Sequence, residues 1–190
     1  MTDWLININV GDISNIKSNI DKVITKTKKE DLSLWTTRGE NANQYMFNLN
    51  DIEDTINTIK ENIEKEMAKN NRHVKLKPIS AWCVVGEKHS YHMLHQHNAP
   101  QKNTDGGIVG DNAFKQNHIA SVLYLSVADK TLHNTGDFYF LLNQGDYIKY
   151  HQLSPEVGDL TFFPTHIMHG TYPQGEGIRQ SLNIDFEEYE

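Results

Sequence analysis

The chain has 190 residues and a net charge of −7, with 37% hydrophobic and 23% charged residues. That length suffices for one domain with a hydrophobic core, and the acidic balance argues against a nucleic-acid backbone as partner of the surface as a whole. A single cysteine, Cys83, excludes an internal disulfide and a cysteine-rich zinc site, and no apolar run reaches membrane-spanning length.

Composition changes near residue 72. All ten histidines fall between His73 and His169, and all five prolines lie beyond residue 77. The first part reads as mainly helical, the second as mainly strands and turns. Between Asp12 and Lys26, Ile13, Ile16, Ile20, Val23 and Ile24 recur at helical spacing, with Asp12 or Ser14 as the candidate cap. Asn50 to Asn70 predicts a second helix: Asn50 followed by Glu53 is a capping pattern, and Ile52, Ile56, Ile59, Ile63 and Met67 form one apolar stripe. Residues 32 to 47 between them read as loop or edge strand, anchored by Trp35, Tyr45 and Phe47.

From Val74 the period becomes two. Val74 and Leu76 alternate with lysines, residues 81 to 85 form an apolar strand, and residues 90 to 97 form a strand rich in histidine. Residues 98 to 117 read as a long loop of the kind that borders a site. Further strands are expected at 118–127, 137–142, 147–153, 160–163, around 166–172, and at 179–186. Many short strands separated by Gly, Pro and Asn turns predict a closed sandwich or barrel. The expected organisation is a single domain over 1–190, with residues 1–72 as helical support packed outside a mainly β, jelly-roll core at 73–190.

Residues two apart on a strand share a face, so His95 and His97 can look into such a barrel together while Gln96 looks out. His169, near the C-terminal end, is placed to supply a third imidazole, a donor that suits iron, zinc, copper or nickel. Ten residues beyond His169 stands Arg179, a fork-shaped cation that holds a carboxylate bidentately. His89, His92, His118, His133, His151 and His166 are expected to be surface or hydrogen-bonded structural residues.

The order of several short pieces carries a resemblance. These are Trp82, His95-Gln96-His97, Ser121-Val122-Leu123-Tyr124, Gly136-Asp137-Phe138-Tyr139-Phe140, Pro155-Glu156-Val157-Gly158, Phe163-Pro164, His169 and Arg179-Gln180-Ser181. In that order and spacing, residues 78 to 186 resemble the iron(II)- and 2-oxoglutarate-dependent oxygenases, in the small bacterial and phage branch related to prolyl hydroxylases. The resemblance implies a double-stranded β-helix and the cofactors Fe(II), 2-oxoglutarate and O2. It also implies decarboxylation of 2-oxoglutarate to succinate, coupled to hydroxylation of a C–H bond in a peptidyl residue, a free amino acid or another small metabolite. It makes His95 and His169 metal ligands, and Arg179, helped by Ser181 and Tyr124, the anchor of the distal carboxylate of 2-oxoglutarate.

The wider superfamily carries an acid two residues after the first histidine, where this chain has His97. His97 itself, Asp105 or Asp111 of the long loop, or water is left to complete the ligand set, with His97 the favoured reading. The reading from a different class is a cupin-like metal or small-ligand binding module without oxidative chemistry; Arg179 speaks against it. A zinc hydrolase is weaker, because no general base stands beside the histidines in sequence. The first residues, MTDWLININVGD, lack a signal-peptide pattern. The expectation is therefore a cytoplasmic protein with no membrane or nucleic-acid partner. The abundance of Asn, Lys and Ile is compatible with a phage source.

Overall fold

A computed structural model describes residues 3–39, 41–97, 118–130 and 134–189. The long loop, with Asp105 and Asp111, and His133 lie outside the described residues. The first element is a strand, β1 (Ile6–Asn9), which the sequence reading did not foresee. Four residues give too short a window for a period, and only its pairing with a distant strand makes it one. Helix α1 (Ser14–Ile24) follows, opened by the Asp12 carboxylate, which accepts from the Ser14 N–H at 2.9 Å. The stretch read as loop or edge strand contains two short strands, β2 (Thr37–Arg38) and β3 (Asn43–Met46). Tyr45 and Phe47 are buried anchors as expected, while Trp35 is half-buried.

The second helix begins as a 3-10 turn (Leu49–Ile52) and continues as α2 (Glu53–Lys69). Its cap is Asn48, whose side chain accepts from the Asn50 N–H at 3.1 Å; the expected cap, Asn50, is two residues too late. The helix stops where Asn71 takes a left-handed φ of 57°, a conformation asparagine tolerates. Every member of the expected stripe, Ile52, Ile56, Ile59, Ile63 and Met67, is 3% exposed or less.

The remaining strands are β4 (Lys75–Gly86), β5 (Tyr91–His95), β6 (His118–Ser126), β7 (Phe138–Asn143), β8 (Ile148–Leu153), β9 (Asp159–Pro164), β10 (Met168–Thr171) and β11 (Arg179–Tyr189). The two expected strands around Val74–Ile79 and Ala81–Val85 are one strand, β4. It bulges at Ile79: Asp185 pairs with Ser80 but Phe186 with Pro78, whose missing N–H a bulge accommodates.

Two antiparallel sheets result, one in the order β1-β9-β6-β11-β4-β3, the other β2-β5-β10-β7-β8. From β4 onward the chain steps between them, with β7 and β8 the one hairpin that stays in a sheet. This is the jelly roll expected from the sequence. Alternation gives each central strand two jobs. On β11, Leu182, Ile184 and Phe186 face outward and join the helix stripes, Leu76, Cys83, Leu123 and Phe162 in the larger core. The facing residues Arg179, Ser181, Asn183 and Asp185 line the space between the sheets, beside a smaller core of Ala120, Val122, Tyr124, Phe138, Phe140, Phe163 and Ile167. The helices thus cover the outside of the larger sheet, and the polar side chains of β11 point into the roll. Among the described residues, no helix is long and apolar enough to cross a membrane.

Candidate metal and anion site

His95 closes β5, and His97 lies two residues further, held by its backbone N–H donating to the Thr165 carbonyl at 3.0 Å. His169, on β10, pairs directly with His95 across the ladder. The ring centroids lie 4.3 Å (His95–His169), 4.8 Å (His97–His169) and 5.4 Å (His95–His97) apart. One nitrogen from each ring falls within a sphere small enough to share an ion: all lie within 4.8 Å of one another, and the Nε2 atoms of His97 and His169 are 3.2 Å apart.

The other nitrogen of each ring is occupied. Nδ1 of His95 lies 2.7 Å from the Met93 carbonyl, Nδ1 of His169 lies 2.8 Å from the Ile167 carbonyl, and Nδ1 of His97 lies 2.8 Å from Oδ1 of Asp185. These oxygens only accept, so each Nδ1 donates, and in the neutral ring Nε2 keeps its lone pair. Burial, then the His97 ring, lowers the pKa of His95 to about 4. Burial, with His95 and His97 beside it, holds His169 well below its ordinary value. Imidazole lone pairs are what a divalent cation requires. The walls are aromatic: Phe163 lies 4.7 Å from the His169 ring and Trp82 lies 5.2 Å from the His97 ring, centroid to centroid. Three imidazoles with Nδ1 held in place fit a divalent transition metal.

Arg179 is 3% exposed, and both terminal guanidinium nitrogens are buried with no hydrogen-bond partner among the described residues. Burial works against its charge, and the Tyr124 phenol beside it works the other way. Burial also pushes the Tyr124 phenol well above its usual range. Ser181 pairs with Tyr124 in the β11–β6 register, so Arg179, Ser181 and Tyr124 share one region of the interior. A buried, unpaired guanidinium is costly, so such a group fits an anionic ligand.

Of the six histidines expected to be surface or hydrogen-bonded structural residues, one lies beside the cluster. His92 is not a surface residue: it is 9% exposed, its ring stacks on His95 at 5.9 Å, and Arg179 is, after burial, the next cause of its lowered pKa. His92 and His95 are three positions apart, the wrong parity for a shared face. A bulge corrects it: His169 pairs with His95 but Thr171 with His92, so Met93 and Leu94 together stand opposite the single residue Gly170, and both are exposed, 39% and 43%. His92 thus links the imidazole cluster to Arg179. Among the other histidines, His166 pairs with Asp3 at 3.0 Å, and His151 lies partly buried on β8, its ring 6.4 Å from that of Phe140. Asp185 was also missed, although it continues the Arg179-x-Ser181-x-Asn183 alternation by one more step.

No protein-family model matches the chain, and no curated protein matches it in sequence. Solved structures do. A Pseudomonas putida prolyl-4-hydroxylase superposes with a TM-score of 0.63 at 14% identity, over 99% of this chain and 94% of that one. The viral collagen prolyl hydroxylase from Paramecium bursaria Chlorella virus-1, solved as a 2-oxoglutarate complex, gives a TM-score of 0.63 at 16% identity over 97% and 96% of the two chains. HygX from Streptomyces hygroscopicus, solved with nickel and 2-oxoglutarate bound, gives 0.64 at 14% identity over 98% and 83%. What this chain shares with these 2-oxoglutarate–Fe(II) oxygenase structures, along nearly its whole length, is the double-stranded β-helix fold.

Proposed function

We propose that the chain is an Fe(II)- and 2-oxoglutarate-dependent oxygenase that hydroxylates a C–H bond of a small molecule or a peptidyl residue. The observation that carries this reading is the guanidinium of Arg179, without a hydrogen-bond partner among the described residues and buried in the same interior as three converging imidazoles. A metal-binding module needs the histidines alone; a dicarboxylate cosubstrate needs a fixed cation at its far end as well.

In this reading His95, His97 and His169 hold the iron, and His97 takes the position where the wider superfamily has an acid. Arg179 binds the distal carboxylate of 2-oxoglutarate, with Ser181 and Tyr124 beside it. The iron and 2-oxoglutarate supply the oxidation: one oxygen atom of O2 enters the substrate and the other enters succinate, with loss of CO2. The chain's own residues orient and exclude. Nδ1 contacts with Met93 O, Ile167 O and Asp185 fix the three rings. Phe138, Phe140, Phe163 and Trp82 keep the interior apolar around them, which strengthens every charge interaction there. The similar solved structures include one with hygromycin B bound and one with a peptide fragment, and both substrate classes stay within the proposal.

Calorimetry with Mn(II) and 2-oxoglutarate tests the reading. Arg179→Ala should raise the dissociation constant for 2-oxoglutarate at least roughly thirtyfold, from the loss of about 2 kcal/mol or more when one partner of a buried charge pair goes. Arg179→Lys should fall between, since it keeps the charge and loses the fork. Mn(II) affinity alone should survive both Arg179 changes and collapse in His95→Ala and His169→Ala, while His151→Ala leaves it intact. A parent that binds Mn(II) but not 2-oxoglutarate would be a metal-binding module instead.

A further inference from the structure

The histidine cluster is electrically incomplete without its neighbour. Three neutral imidazoles around a divalent ion leave two positive charges in a buried space that already contains the Arg179 guanidinium. Among the described residues, one carboxylate is hydrogen-bonded to a member of the cluster: Asp185, with Oδ1 2.8 Å from Nδ1 of His97. Both side chains are largely shielded, 13% and 9% exposed. Asp185 is carried by β11 at the point where β4 bulges, Ser80 and Pro78 pairing with Asp185 and Phe186. It is the last inward residue of the series Arg179, Ser181, Asn183, Asp185, so one strand presents a cation at one end and an anion at the other.

We propose that Asp185 is a positioning residue for metal binding: through Nδ1 of His97 it holds that ring with Nε2 toward the ion and supplies, one shell out, the negative charge that an all-histidine ligand set lacks. This rests on the reading of His95, His97 and His169 as the metal ligands. The other two rings are held by backbone carbonyls of Met93 and Ile167, each two residues from its own histidine, so their orientation comes with the local chain. His97 lies beyond the end of β5, and its ring is held by a side chain 88 residues away. A carboxylate in that place both orients the imidazole and makes Nε2 a stronger donor, an arrangement whose loss typically costs 10–100-fold in metal affinity.

The test uses the full chain and Co(II) alone, with affinity from calorimetry and ligand-field bands from the visible spectrum. Asp185→Asn, isosteric and still able to accept from Nδ1, should weaken Co(II) binding about tenfold and shift the bands; Asp185→Ala, which loses orientation as well as charge, should weaken it about a hundredfold. Asp137→Asn removes another buried carboxylate, one bonded to Gln152 and to none of the three histidines, and should change the affinity less than roughly twofold. Equal losses from Asp185→Asn and Asp137→Asn would reduce Asp185 to general interior charge and overturn the proposal. So would an Asp185→Asn protein, folded by its thermal transition, with parental affinity and bands. A parent that binds no Co(II) overturns the ligand assignment itself, which separates the two failures.

Discussion

At the scale of single residues, chemistry in this chain follows from which face of a strand a side chain occupies. Arg179 and Gln180 are neighbours, yet one faces the interior of the roll without a hydrogen-bond partner among the described residues and the other bonds Lys17 and Asp21 on α1. Cys83 shows the same logic on β4. It points into the larger core, 0% exposed, and burial pushes its thiol pKa up to about 12. A raised pKa in an acid means the neutral form persists: four pH units below it, roughly one part in ten thousand is thiolate, and the thiolate is the nucleophile. A disulfide reagent at pH 8 should therefore find no reactive thiol in the folded protein and one equivalent after unfolding in guanidinium. Prompt labelling of the native protein would mean that the Cys83 environment is wrong.

At the scale of elements, ends and irregularities decide more than interiors. The stripe of α2 is plain from its period, but its start is not, because Asn48 and Asn50 are both good caps by residue type. The backbone chooses Asn48, whose extended φ and ψ of −72° and 128° let its side chain turn back onto the Asn50 N–H. Asn48→Ala should cost about 1 kcal/mol and lower the melting temperature by roughly 2–4 °C, whereas Asn50→Ala, on an exposed residue, should stay within about 0.5 kcal/mol of the parent. Thermal melts of the two variants check this, and the reverse order would restore the capping pattern read from the sequence. The bulges have the larger functional consequence. The one in β5 turns His92 inward beside His95, and the one in β4 lies opposite Asp185.

For the whole molecule, the larger core ties the N-terminal helices to the sheet. Ile20, Ile56, Ile59 and Ile63 share that core with Cys83, Leu123, Leu182 and Phe186. Neither part can close its apolar surface alone, so one cooperative unit over residues 1–190 is the expectation. Ile63, 0% exposed, is the sharpest probe. Ile63→Ala should cost about 2–5 kcal/mol and lower the melting temperature by roughly 4–20 °C, with helix signal and tryptophan fluorescence moving through the same single transition. Two separated transitions would divide the helices from the roll and end the single-domain description.

Local period and residue type determined much of this protein. The α2 stripe, nearly all the strands of the roll, and the His-x-His, His and Arg landmarks of the site are each written within a few residues, because side-chain direction repeats every 3.6 residues on a helix and every two on a strand. Tertiary structure alone decided what those landmarks meet. β1 exists because Ile6–Asn9 pairs with β9, 150 or more residues later. His92 turns inward through a register shift against β10, which no count along β5 reveals. Asp185 lay in plain alternation with Arg179, but its contact with His97 depends on two sheets folding onto each other. Pairing between distant strands is a property of the closed roll, and the space where three imidazoles and the Arg179 guanidinium lie together forms only when it closes.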